Sequence, residues 1–484
     1  MKVSRTILGI LLLLSVALTA TAADGVYRRG CRPQLTKKGL PASQRAPRRA
    51  GVSHQCLIGD CRQLVVLVAF NDQAFKDDEA ATMTLWQRIF NEEQFTESSF
   101  YGSVHDYFYA QSYGEFRLTF DMHYIQLSEN RYKYRSTDDD DENSKYLVYD
   151  VVDTLEARGI DWSPYDWNGD GYVNQLLIVY AGKGMNDGGG SNSIWPHQWW
   201  LSLHEDCEPI SVGNQSLLVD CYCCVNELTS SGTYGTFGTI CHEYSHCFGL
   251  PDFYNGNTDY VGYWDLMDIG NYNKGGFCPP GYSAHERMLM GWLEATELTT
   301  QTTIADMSPL CEAGEAYLIR NDGFDNEYYI VENRQQSSWD QSLPGSGLVV
   351  FHIDYDEEVW QTDYPNDRNH KRYTIIPANN KTSIYYSSGW GYPYMKNNFL
   401  TNESKPAATL IHENVDGTLL MSKPITNMAV NDGLGSFDFM ATPSAILPLP
   451  TLLPSPCEGG QVLYRVGPIY IIRCADGTVR KVME

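Results

Sequence analysis

Apolar residues along the chain cluster in runs of three kinds, each of which predicts an element. "QLVVLVAF" (63–70) and "QLLIVYAG" (175–182) are apolar without a break over strand length, the pattern of strands covered on both faces. "FRLTFDMHY" alternates Phe116, Leu118, Phe120 and Met122 with polar residues, as a half-buried strand does. "ATMTLWQRIFNEEQF" and "KYLVYDVVDTLEARG" carry helical spacing, the second stopped by Gly159, and "SVHDYFYAQSYG" opens on Ser103 as an N-cap and ends at Gly114. Strands and helices therefore mix over the first part of the chain. After about Leu293 the texture changes to short strands, among them "AYLIR", "EYYIVENRQ" and "GLVVFHIDYD", separated by Gly, Asn, Asp and Pro turns. The fold class expected is α+β: a domain with a mixed sheet over 61–298, then an all-β, sandwich-like domain over 299–443.

The ends read differently. Residues 1–23 place Lys2 and Arg5 before an apolar run from Ile7 to Leu18 and the small residues Ala20, Thr21 and Ala22, which is the layout of a secretory signal peptide. That run is shorter than the ~20 residues needed to cross a bilayer, so stable membrane insertion is not expected. Residues 24–60 are basic and poor in apolar side chains, a propeptide or linker. Residues 444–484 are a Pro-rich linker and a short β-like appendage. The net charge of −25 argues against nucleic acid and anionic lipid as partners. Thirteen cysteines in a chain expected to be exported make disulfides the expectation, while "CYCC" (221–224) lies among β-like residues and is not expected to hold metal.

Chemistry concentrates in "TICHEYSHCFGLPDFY" (239–254). On a helix, His242 and His246 stand one turn apart on one face, and Glu243 lies about 100° around from His242. That places two imidazoles on one cation and a carboxylate beside its water, the arrangement of a zinc hydrolase. A catalytic zinc takes three protein ligands and keeps a fourth position for water. Gly249 can adopt the left-handed conformation that ends a helix, and Pro251 prevents the helix from resuming, so the chain doubles back and Asp252 can return as third ligand. Glu286 and His285 in "YSAHERM" are the alternatives for that third place.

With "SVHDYFYAQSYGEFRLTFD", "DWNGDGYVNQLLIVYAGKG", "IWPHQW", "GYWDLMDIGNY" and "LPGSGLVVFHIDYD" added to this motif, the chain resembles the metalloproteases of the immune inhibitor A type, a secreted bacterial family related to the metzincins. The resemblance implies a zincin-like catalytic domain with an active-site helix, zinc on His242, His246 and Asp252, Glu243 as general base, and Met267 in a turn beneath the metal. Ile269 stands where some metzincins carry a tyrosine, which leaves Tyr254, Tyr272 and His197 as candidates to stabilise the transition state.

Asp166, Asn168 and Asp170, with Gly171 next, resemble the start of a calcium loop. Leu177 occupies the position where an EF-hand needs glutamate, so the alternative is an Asx-rich turn. "TDDDDEN" (137–143) is expected to be a solvated acidic loop. Cys31 and Asp60 are candidates to hold the enzyme latent by occupying the metal's water position, and "GPIYIIRCADGTVRKV" resembles the last strands of a type IX sorting domain. The function expected is that of a secreted or cell-surface, monomeric zinc endopeptidase acting on protein or peptide substrates, with Ca2+ as a second ion. The alternative is an exported binding or adhesion protein whose zinc site is structural or inert.

Overall fold

The computed structural model describes residues 57–136, 143–204, 207–362, 364–441 and the strand residues 461–466, 469–473 and 479–483. The expected signal peptide, Cys31, most of the acidic loop and the Pro-rich linker lie outside the described residues.

A five-stranded sheet organises the first half, built from β1 (Gly59–Ala69), β2 (Phe116–Gln126), β3 (Leu176–Lys183), β4 (His197–Trp200) and β5 (Cys221–Leu228) in the order β2-β1-β3-β5-β4. All neighbours run parallel except β4, which pairs antiparallel with β5 at the edge. The unbroken apolar run in β1 has its explanation here: Val65, Leu67 and Ala69 enter one core while Leu64, Val66 and Val68 enter another on the opposite face. Parallel strands covered on both faces have no solvent side on which to place polar residues.

One face is covered by α1 (Glu79–Asn91) and α2 (Val104–Gln111), which bury Trp86, Phe90, Tyr107 and Phe108. As the pattern predicts, Ser103 caps α2, and Asp106 completes a reciprocal capping box with it. The other face is covered by α3 (Ser144–Ala157) through Leu147, Val148, Val151, Val152 and Leu155. "CYCC" forms the start of β5, with Cys223 facing the first core and Cys224 the second.

Beyond residue 300, β6 (Ala316–Asn321), β7 (Phe324–Arg334), β8 (Gly347–Asp354) and β9 (Tyr373–Ile375) form an antiparallel sheet, with the short strand Thr296–Glu297 along β6. Thr302–Met307, Ile425–Asn431 and Leu434–Phe439 form a second, three-stranded sheet. Ile330, Phe351, Tyr373 and Trp339 belong to the same apolar core as Val65, Phe237 and Met267, and the chain through Phe439 is one compact unit. Residues 440–484 are a second unit, in which Gln461–Val466, Ile469–Arg473 and Val479–Met483 pair as an antiparallel meander. No disulfide joins any two described cysteines, which corrects the expectation of staples for this part: Cys223, Cys241 and Cys247 are buried thiols whose ionisation burial opposes. With cores this extensive, cross-links are not needed for stability. No helix among the described residues is long and apolar enough to cross a membrane.

Candidate metal centre

The motif helix, α4 (Phe237–Ser245), is buried along its whole length. Gly238 lets it sit directly on the segment behind it, since a Cβ there would lie 1.9 Å from the carbonyl oxygen of Asn271. The α-helix stops one residue earlier than its spacing predicts: His246–Phe248 tighten into a 3₁₀ turn, which Gly249 closes at φ +89°. Pro251 follows, and Asp252 comes back to the two histidines.

His242 Nε2 lies 3.1 Å and His246 Nε2 3.3 Å from the same oxygen, Asp252 Oδ1. The opposite ring nitrogens fix what these approaches mean. His242 Nδ1 is 2.8 Å from the carbonyl of Leu266 and His246 Nδ1 is 2.7 Å from that of Leu250. A carbonyl only accepts, so each Nδ1 carries a proton and donates, and Nε2 is the nitrogen that each ring turns toward the carboxylate. Two imidazole nitrogens and a carboxylate oxygen that converge in a largely buried site have the chemistry to hold a cation. Donors bound to one tetrahedral ion at about 2.0–2.1 Å lie roughly 3.3 Å apart, so zinc fits these spacings. Burial alone would raise the Asp252 carboxyl, but His246 and His242 outweigh it and hold the group well below the usual carboxylate range. Burial pushes His246 down, toward the neutral form that a metal requires.

Glu243 is buried beside this trio, with Oε2 4.0 Å from His246 Nε2. Neither of its oxygens makes a hydrogen bond; the backbone amide of Gln198 in β4 approaches without hydrogen-bonding geometry. Burial and then the charge of Asp252 raise its carboxyl well above the ordinary value, as suits a group that must hold and release a proton. Met267 is fully buried, and its segment touches both arms of the trio: the carbonyl of Leu266 receives His242, and that of Met267 receives the amide of Phe253, 2.8 Å away. Asp265 fixes the turn by accepting from the Met267 amide and from the Tyr373 hydroxyl.

The alternatives for the third ligand sit elsewhere. Glu286 is the third residue of a short helix, Ala284–Leu289, where it accepts from the amide of its cap Ser283. His285 lies among Tyr328, Tyr355, Trp360 and Tyr373, and burial pushes it down to about 3. Of the transition-state candidates, Tyr254 stacks on His242 with centroids 6.4 Å apart. Tyr272 has its phenol pushed up by burial, by Asp187 and, more weakly, by Glu243. His197 instead joins a hydroxyl network with Ser144 and Tyr222, and burial lowers it to about 4. Asp166, Asn168 and Asp170 accept from the amides of their own loop, which shapes it as an Asx-rich turn. Asp60 is exposed at the start of β1 and pairs with Arg117 instead of approaching the trio.

A second group of the same composition escaped the sequence reading. Asp354, His370 and His412 bring one ligand atom each within 4.8 Å of one another, from the end of β8 and from two separate loops. His370 Nε2 lies 2.6 Å from Asp354 Oδ2 and His412 Nε2 3.1 Å from Oδ1, while Arg372 donates to Oδ2 at 2.6 Å. Among the described residues no carbonyl claims either Nδ1 here, the imidazoles are partly exposed, and Nε2–H can donate to the carboxylate. The cluster is satisfied as hydrogen bonds and an ion pair.

Residues 58–290 match the family described as "Immune inhibitor A peptidase M6, catalytic domain". Immune inhibitor A of Bacillus thuringiensis subsp. alesti is 31% identical over 149 residues, which are 27% of this chain and 21% of that protein. Pre-pro-metalloprotease PrtV of Vibrio cholerae serotype O1 (strain M66-2) is 28% identical over 180 residues, 31% of this chain and 19% of that protein. The chain thus spans about a fifth of the length of the curated relatives it matches.

Proposed function

Residues 58–290 belong to the immune inhibitor A family of M6 peptidases, and from that premise we propose that the chain is an exported zinc endopeptidase, with His242, His246 and Asp252 as ligands and Glu243 as general base. The observation that carries this reading is the pair of Nδ1-to-carbonyl hydrogen bonds, which turns both Nε2 atoms onto one carboxylate oxygen.

Bound there, zinc would supply a Lewis acid for the scissile carbonyl and lower the pKa of water toward about 7. The protein's own side chains do the rest. Glu243 takes a proton from the attacking water and returns it to the leaving amine, a task supported by a carboxyl with no other hydrogen-bond partner. The Leu266–Met267 segment supports the trio from beneath, through the Leu266 carbonyl on His242 and the Met267 carbonyl on Phe253. Tyr272 is assigned as the donor to the developing oxyanion, because its buried phenol senses the charge of Glu243. Strand β4 is the edge of its sheet and brings Gln198 beside Glu243, and we assign to this edge the binding of an extended peptide as a further strand.

The test is Glu243→Gln in the chain freed of its amino-terminal segment. Casein hydrolysis should fall to background while one equivalent of zinc stays bound. Hydrolysis at the wild-type rate would end the assignment, and a wild type that binds zinc without hydrolysing anything would favour the binding-protein alternative.

A further inference from the structure

Asp252 is held only as well as the residues that follow it. The next residue, Phe253, is fixed from two sides. Its amide donates to Met267, and its carbonyl accepts from Asn366 Nδ2 at 2.9 Å. Its ring lies on that of Tyr373, with centroids 3.7 Å apart. Asn366 is fully buried, and both of its polar atoms are engaged: Nδ2 also reaches the carbonyl of Tyr373 at 2.8 Å, and Oδ1 accepts from the amide of Tyr373 at 2.9 Å. Its backbone carbonyl receives Asn255 Nδ2 at 2.9 Å. One asparagine thus ties the returning loop at 253 and 255 to the sheet that begins more than 40 residues after it.

The segment 364–373 that carries Asn366 is itself strapped down at its other end. His370 and Arg372 both bind Asp354, and the amide of Asp354 donates to the carbonyl of Arg372 at 2.8 Å. His412 bears on the same carboxylate, held in place by its amide on Glu327 Oε2 at 3.0 Å. The second His-Asp cluster therefore has a task that requires no ion.

We propose that Asn366 is a positioning residue for the metal ligand Asp252, and that the Asp354 cluster clamps the strap that carries it. This rests on the metal site proposed above. Because Asn366 touches neither metal nor substrate, its effect is on how firmly the metal is held. Partners in direct contact with ligands typically change metal affinity about 10–100-fold; acting one residue further out, Asn366 should account for about tenfold.

The experiment loads the intact protein with Co2+ and follows its release to excess chelator by the visible absorption of the bound ion. Asn366→Ala should release Co2+ about ten times faster and shift the absorption, whereas a residue that merely supports folding would lower the unfolding temperature of the metal-free protein and leave both unchanged. His412→Gln, which leaves Asn366 in place and loosens only the strap, should quicken release two- to threefold, and it carries the test if Asn366→Ala fails to fold. Wild-type protein that binds no Co2+ would remove the proposed metal site itself. Wild type that binds it, with the variants releasing it at the wild-type rate and with an unshifted spectrum, would overturn this inference alone. Two equivalents of zinc falling to one in His412→Gln would overturn the clamp by making the Asp354 cluster a metal site.

Discussion

The described residues contain two clusters of two histidines and an aspartate, and they differ in what the far side of each imidazole does. At His242, His246 and Asp252, carbonyls accept from Nδ1, both Nε2 atoms face one oxygen of a carboxylate, and that carboxylate is buried. At Asp354, His370 and His412, the rings are partly exposed, no carbonyl sets the tautomer, and Arg372 already neutralises the carboxylate. Composition and convergence alone do not distinguish a metal centre from an ion-pair hub. The partners behind the donors do.

The sharpest way to break this comparison is to truncate one histidine in each cluster. His246→Ala should lose its zinc and all hydrolysis above background, whereas His412→Ala should keep one equivalent of zinc and most of its turnover; metal analysis and a peptide assay decide. Asp354→Ala comes next in size. It strands the guanidinium of Arg372 and two imidazoles without their acceptor, at a cost of about 2–3 kcal/mol after allowance for partial exposure, measured by urea unfolding. Acid sharpens the contrast further. Burial would raise Glu327, but its bond with His352 and the amides of Ile411 and His412 outweigh that and depress its pKa. A depressed carboxylate stabilises the fold fully above its unfolded value of about 4.3, and the contribution is lost as pH falls through the folded value. Stability should therefore drop more steeply below about pH 4.5 in the wild type than in Glu327→Gln, by a margin on the order of 1 kcal/mol. Smallest is Arg372→Gln, which should cost about 1 kcal/mol or less, with zinc still at one equivalent.

Sequence spacing made the first cluster legible because its parts are local. Two histidines one turn apart, a glycine able to end the helix and a proline that bars its return lead to Asp252 within a single short stretch. The strands and capped helices of the first half were legible for the same reason, since alternation and caps are short-range signals. The carbonyls of Leu250 and Leu266 carry no side-chain signature, so the feature that fixes the tautomers was invisible. Asn366 and Asp354 lie more than 100 residues from Asp252 in an unremarkable Asn- and Asp-rich region, and only tertiary folding gives them a role. The paired cysteines expected from export did not materialise among the described residues, because extended two-sided cores bury thiols as small apolar groups.

The stacking of Phe253 on Tyr373 has a practical consequence for anyone dividing this chain. A fragment cut at residue 290, where the family match ends, would retain every proposed ligand and the general base, yet uncover the Phe253 ring and strip Asp265 of the Tyr373 hydroxyl. On the proposed site, the smallest piece expected to hold the metal as firmly as the whole chain extends through β9, so the boundary of the chemistry lies well downstream of the boundary of the motif.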